Sequence, residues 1–143
     1  MSTLVVGFDG TEGARTALVE ALRLARELGA AVHLVFSYST GRLGGELRDL
    51  DAAVAERAER VLLEGTHLAE AEGTTVTSAF RREDPAEGLI AAADELDARY
   101  IVVGSYGERP LKSALVGSTP TRLLHLCDRP VLVVRAPEDA TRA

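Results

Sequence analysis

Three glycines and a serine carry the clearest chemical signal in this chain. Gly104 and Gly107 are followed, after nine further residues, by Gly117-Ser118, in the spacing G-x2-G-x9-G-[ST]. Glycine lets a backbone turn sharply and lets a ligand approach without a side chain in the way. The N–H groups that open a helix attract anions, so a glycine loop that ends at a helix start suits a phosphate. Taken alone, the same glycines also fit ordinary turns and helix caps. Their position adds weight, because the pattern starts at the end of an apolar β-type run, Tyr100 to Val103, and finishes where a helix pattern begins. A second candidate, Asp9-Gly10, also follows an apolar run directly. Asp9 is open to two readings, a ligand contact and a turn or helix-capping aspartate. Ser118 likewise could cap its own helix or meet a phosphate. Neither a Gly-Lys-Ser/Thr phosphate loop nor a G-x-G-x-x-G after the first strand is present.

The elements that must position these residues alternate regularly. Thr3 to Phe8 reads as a strand buried on both faces, and Thr11 as a helix cap. Ala14, Leu18, Ala21, Leu22, Ala25 and Leu28 then follow one helix face up to the stop at Gly29. Ala31 to Tyr38 is a second strand, and Ser39 to Gly45 a polar connection. Glu46 to Glu72 has the alanine-rich, amphipathic character of a long helix, ended by Gly73. Thr74 to Phe80 alternates with polar residues as an edge strand does, and Arg81 to Asp84 reads as a solvated loop. Pro85 opens a helix reaching about Leu96. After the glycine pattern come a helix over Ser118 to Leu126, a last strand over Pro130 to Arg135, and a frayed tail from Ala136 to Ala143. This β-α alternation predicts a three-layer, doubly wound α/β fold with parallel strands. In such sheets ligands bind outside the carboxyl ends of the strands, where the strand order reverses. Asp9 and the Gly104 to Gly107 segment are then candidates for opposite lips of one crevice.

Composition narrows the function classes. A chain of 143 residues fits one domain, residues 1–143, with enough length to bury roughly two-thirds of its unfolded surface. With 46% hydrophobic and 27% charged residues, and no apolar run near the roughly 18 residues of a membrane span, a soluble protein is expected. The amino terminus shows no secretory pattern, so the cytoplasm is the expected compartment. The single cysteine, Cys127, excludes an internal disulfide and sits at helical spacing from Leu123 and Leu124, as a small core residue would. Net charge is −6 with the 16 basic residues scattered, which argues against a nucleic-acid surface. His33, His67 and His125 are too dispersed for a metal-ligand pattern, and no nucleophile-base-orienter set is visible, so neither a metal nor catalytic residues are expected.

Across nearly its whole length the chain resembles the universal stress protein family, in its ATP-binding branch. The resemblance rests on Leu-Val-Val-Gly-Phe-Asp-Gly-Thr at the first strand and Asp-Pro-Ala-Glu-Gly-Leu-Ile at 84–90. It continues through Val-Val-Gly-Ser-Tyr-Gly, the later Leu-Val-Gly-Ser, and Arg-Pro-Val-Leu-Val-Val at 129–134. It implies a flavodoxin-like sheet in the order 3-2-1-4-5, a stress-response role, ATP in the crevice, with Mg2+ reaching the site only through phosphate, and a homodimer paired through Val131, Leu132 and Val133. By position it assigns Asp9 to the adenine or ribose end and Ser37 to the adenine pocket. Gly104, Gly107, Gly117 and Ser118 fall to the ribose and phosphates, and Tyr106, Arg109 and Thr119 complete the ligand-facing set. The loop between the glycines departs from the family pattern: Pro110 removes an N–H donor and Glu108 adds a negative charge where phosphates are expected. The leading expectation is therefore an ATP-binding regulatory protein without dedicated catalysis. The alternatives are a slow ATPase or phosphotransferase in the same pocket, and a dimeric interaction module that has lost its nucleotide.

Overall fold

A computed structural model describes residues 1–39, 47–105 and 117–135. Nine elements alternate along them: β1 (Thr3–Gly7), α1 (Glu12–Leu28), β2 (Ala31–Ser37), α2 (Leu47–Ala71), β3 (Val76–Arg81), α3 (Pro85–Leu96), β4 (Tyr100–Gly104), α4 (Ser118–Leu126) and β5 (Val131–Val134). The strands form one parallel sheet in the order β3-β2-β1-β4-β5. The expected doubly wound α/β fold is thus the observed one.

Side-chain alternation along the strands builds two cores. Leu4, Val6, Phe8, Val32, Leu34 and Phe36 pack on one face against the small residues of α1 and against Ala58, Leu62 and Ala69 of α2. Val5, Val35, Ile101 and Val103 pack on the other against α3 and Leu123 of α4. Both faces of the central strands are therefore covered, which is why they read as continuous apolar runs rather than as alternating ones. Gly65 has a packing role that sequence reading missed. A Cβ there would come within 2.7 Å of Leu34 and 3.0 Å of Phe8, so the glycine lets α2 sit close to the sheet.

The third strand starts two residues later than expected. Gly73 adopts φ 73°, and the N–H groups of Gly73 and Thr74 bond back to Glu70 and Ala69, so the chain is still closing α2 at Thr74. α3 ends by the same device at a non-glycine residue, with Asp97 at φ 49° and Ala98 N–H bonded to Ala93. Arg129 braces that turn, donating to Asp94, Asp97 and the Ala98 carbonyl. Arg81 and Arg82 are not a merely solvated loop. Arg81 closes β3 and pairs with Glu83 and Glu95, while Arg82 pairs with Asp51 and lies over the Phe80 ring. Cys127 is partly buried against the second core. Among the described residues no helix is long and apolar enough to cross a membrane.

Candidate functional site

The chain runs from β1 through α1 to β2 on one side of the sheet centre, and it crosses from β3 to β4 on the other. Between β1 and β4 the strand order therefore reverses, and a cavity of about 570 Å³ opens there at the carboxyl ends of the strands. That volume is in the range of small-molecule sites. Phe8, Asp9, Thr11 and Ala14 form one lip, and Gly104, Gly117, Ser118, Thr119 and Pro120 the other. Val35, Phe36, Ser37 and Val103 line it from the strands, and Pro85 and Leu89 from α3. The lining is apolar in its strand part and polar at the two helix starts.

Asp9 performs the turn function that one of its two readings required. Its Oδ1 accepts from the Thr11 N–H at 3.0 Å and the Thr11 hydroxyl at 2.6 Å, around Gly10 at φ 82°. Thr11 in turn accepts from the Ala14 N–H at 3.2 Å and so caps α1. The other carboxylate oxygen of Asp9 takes no part in these bonds, and the residue borders the cavity.

Ser37 lines the cavity, but its proton is already committed. Its Oγ donates to the Glu83 carbonyl at 2.6 Å and so ties the end of β2 to the loop before α3. The helix can come this close only because residue 88 is glycine, where a Cβ would fall 2.0 Å from Ser37 Oγ. Toward a ligand Ser37 can offer only lone pairs while this bond holds. The Gly88 partnership had no sequence signal, since it depends on how α3 docks.

Gly104 also has a reason of its own to be glycine. A Cβ at this position would stand 2.8 Å from the Gly13 carbonyl oxygen and 2.9 Å from its carbon, so the end of β4 packs directly on the backbone of α1. On the same lip, the Gly117 N–H donates to the Ser105 carbonyl at 2.6 Å and Ser105 N–H to Val134. The first bond brings the start of α4 back to the end of β4. Gly117 is the N-cap residue of α4, at φ −63° and ψ 173°, with no side-chain cap. Ser118 is the first helical residue and not the cap, because the N-cap position falls to Gly117. Ser118 and Thr119 border the cavity in the first turn of α4, where N–H groups lack intrahelical partners, and Pro120 contributes no N–H. Tyr106, Gly107 and Arg109 lie outside the described residues.

His33 and Glu64, whose pKa values are displaced, do not line this cavity. His33 Nδ1 is 2.7 Å from the Thr77 hydroxyl, and burial, with Arg81 adding to it, pushes its pKa down. Hydrogen bonding to Arg15 holds the Glu64 carboxyl below its ordinary value. Among the described residues no group of three or more His, Cys, Asp or Glu side chains comes together as a metal site would require.

Comparison with known proteins places this arrangement among relatives. Stress response protein NhaX of Bacillus subtilis is 26% identical over 160 aligned residues, covering 92% of this chain and 96% of that protein. Universal stress protein Rv2624c of Mycobacterium tuberculosis is 31% identical over 139 residues, which span 97% of this chain but only 50% of that protein. A solved universal stress protein in complex with cAMP superposes with a TM-score of 0.74 at 25% identity, covering 95% of this chain and 98% of that one. The sequence profile of the universal stress protein family matches residues 1–135, and with the observed sheet order this establishes that the chain belongs to that family.

Proposed function

We propose that this protein, working as one domain over residues 1–143, binds an adenine nucleotide, ATP or a close relative, in the cleft between β1 and β4. Occupancy of that cleft then serves a stress-response role without dedicated catalysis. The observation that carries the reading is the polarity of the cleft. Phe36, Leu89 and Val103 offer an apolar bed for a base, and the start of α4 at Ser118 and Thr119 offers N–H donors for phosphate. The related structure that holds cAMP supports the same ligand class.

In this reading Asp9 accepts ribose or base donors through the oxygen its turn leaves over, and Ser37 faces the base as an acceptor. Gly104 contributes shape rather than contact. Tyr106, Gly107 and Arg109 complete the phosphate side, and Mg2+ enters only on the phosphates of a bound nucleotide. The protein acts as a homodimer through β5. Val131, Leu132 and Val133 are each partly buried although they lie on a strand at the sheet edge, where backbone groups invite a second strand.

Thermal denaturation with ATP, AMP and cAMP tests the reading, with GTP as the control. A ligand at about a hundredfold above its Kd stabilises by roughly 2.7 kcal/mol, a readily measured shift. Absence of a shift with every adenine nucleotide at millimolar concentration would sink it.

A further inference from the structure

The segment Asp84-Pro85-Ala86-Glu87 has the form of a helix capping box: an acidic residue at the N-cap, proline at the first helical position and glutamate three residues after the cap. In such a box the N-cap carboxylate accepts from the first-turn N–H groups of its own helix. Asp84 makes no such bond. Its Oδ2 is buried without an aligned hydrogen bond and stands 3.3 Å from Nε of Arg122, a charge-to-charge contact. Glu87 is drawn to the same guanidinium, its Oε1 accepting from Nη2 of Arg122 at 3.5 Å. One arginine of α4 thus contacts both carboxylates of the box. By contrast α1, which opens on the same cleft, keeps its cap through Thr11.

The first turns of α3 and α4 meet at the cleft wall, where Pro85 and Leu89 stand with Ser118, Thr119 and Pro120. A carboxylate folded back on the start of α3 would offset the positive end of that helix beside the cavity. The geometry points to Arg122 as a positioning residue: it withholds Asp84 from capping α3 and so keeps the cleft wall favourable to an anionic ligand. This rests on the nucleotide reading above for its functional consequence, but not for its structural one. The contact itself is half exposed, and such pairs add little to stability. Asp84 takes this contact in preference to the cap, so a cap recovered on losing it offsets most of the loss but does not exceed it.

Arg122→Met keeps most of the side-chain stem and removes the charge. Its melting temperature without ligand is expected to stay within about 2 °C of the wild-type value, because the recovered cap offsets most of the lost contact. Its AMP affinity, measured by calorimetry in 50 mM salt, should fall about twofold to fivefold, and less in 500 mM salt. Arg122→Lys should retain affinity. Asp84→Ala in the Arg122→Met background should restore AMP binding and, by removing the recovered cap, lower the melting temperature by about a further 3 °C. A melting temperature that falls with AMP affinity unchanged would make Arg122 a plain structural tie and overturn the inference. So would a double variant that binds as weakly as Arg122→Met. If the wild type binds no AMP, the nucleotide reading fails by itself, and the ligand-free melting temperatures still decide the capping claim: a further fall when Asp84→Ala is added to Arg122→Met upholds it, and no further fall refutes it.

Discussion

Replacing Gly104 with alanine separates two reasons for a glycine at the lip of this cleft. If the residue is glycine only to admit a ligand, the ligand-free protein should be as stable as wild type or slightly more so. Gly104 lies outside the left-handed region, and gly-to-ala exchange at a compatible backbone stabilises by about 0.4–1 kcal/mol through the unfolded chain. The structure predicts the opposite. The added Cβ would meet the Gly13 carbonyl oxygen at 2.8 Å, about 0.6 Å inside the 3.4 Å at which contact becomes ordinary. Both partners are backbone in packed elements, so no side chain can rotate away and α1 has to move on the sheet. Overpacking of this kind costs about 1–3 kcal/mol, which leaves a net loss of about 1–2 kcal/mol. For a chain of this size that is a fall of about 3–6 °C in Tm. Urea denaturation followed by circular dichroism, without nucleotide, should show a lower midpoint at an unchanged slope. A midpoint equal to or above wild type would refute the packing argument and return Gly104 to the ligand.

Two further predictions concern pH and assembly. The pKa of His33 lies below its unfolded value, chiefly through burial, so the unfolded chain binds more protons as pH falls through the range just under about 6.5. Stability should therefore rise between pH 5.5 and pH 7.5 and this component should vanish in His33→Gln; an equal pH dependence in both proteins would reject it. For the dimer, Val133→Glu places a charge on the partly buried edge strand and should give a monomer in sedimentation velocity, with circular dichroism confirming that the fold persists. An unchanged sedimentation coefficient would reject the β5 interface.

The order of elements, the doubly wound class and the two lips of the cleft were legible in the chain because they depend on local signals, whereas the strand order 3-2-1-4-5 came from the family resemblance. Apolar runs buried on two faces, helical spacing from Ala14 to Leu28, and glycine stops at residues 29 and 73 each act within a few residues. Parallel strands joined by right-handed crossovers then leave few arrangements for such a string of elements. What a local reading could not reach is why particular glycines are glycine. Gly65, Gly88 and Gly104 look alike as residues, yet one seats a helix on Phe8 and Leu34, one makes room for Ser37, and one lies on the backbone of Gly13.

The same limit applies to the polar residues. Thr11 caps α1 as its position foretold, whereas Asp84 and Glu87, with an equally good local signature, are diverted by an arginine 35 residues beyond Glu87. A capping preference is worth about 1 kcal/mol, so a charge brought near by tertiary packing is enough to reverse it. The sequence by itself thus determined where strands and helices form and which of their ends meet at the cleft. Only the tertiary structure decided which hydroxyl proton, which carboxylate and which missing side chain at that cleft are free for a ligand, because those choices turn on contacts between residues far apart in the chain.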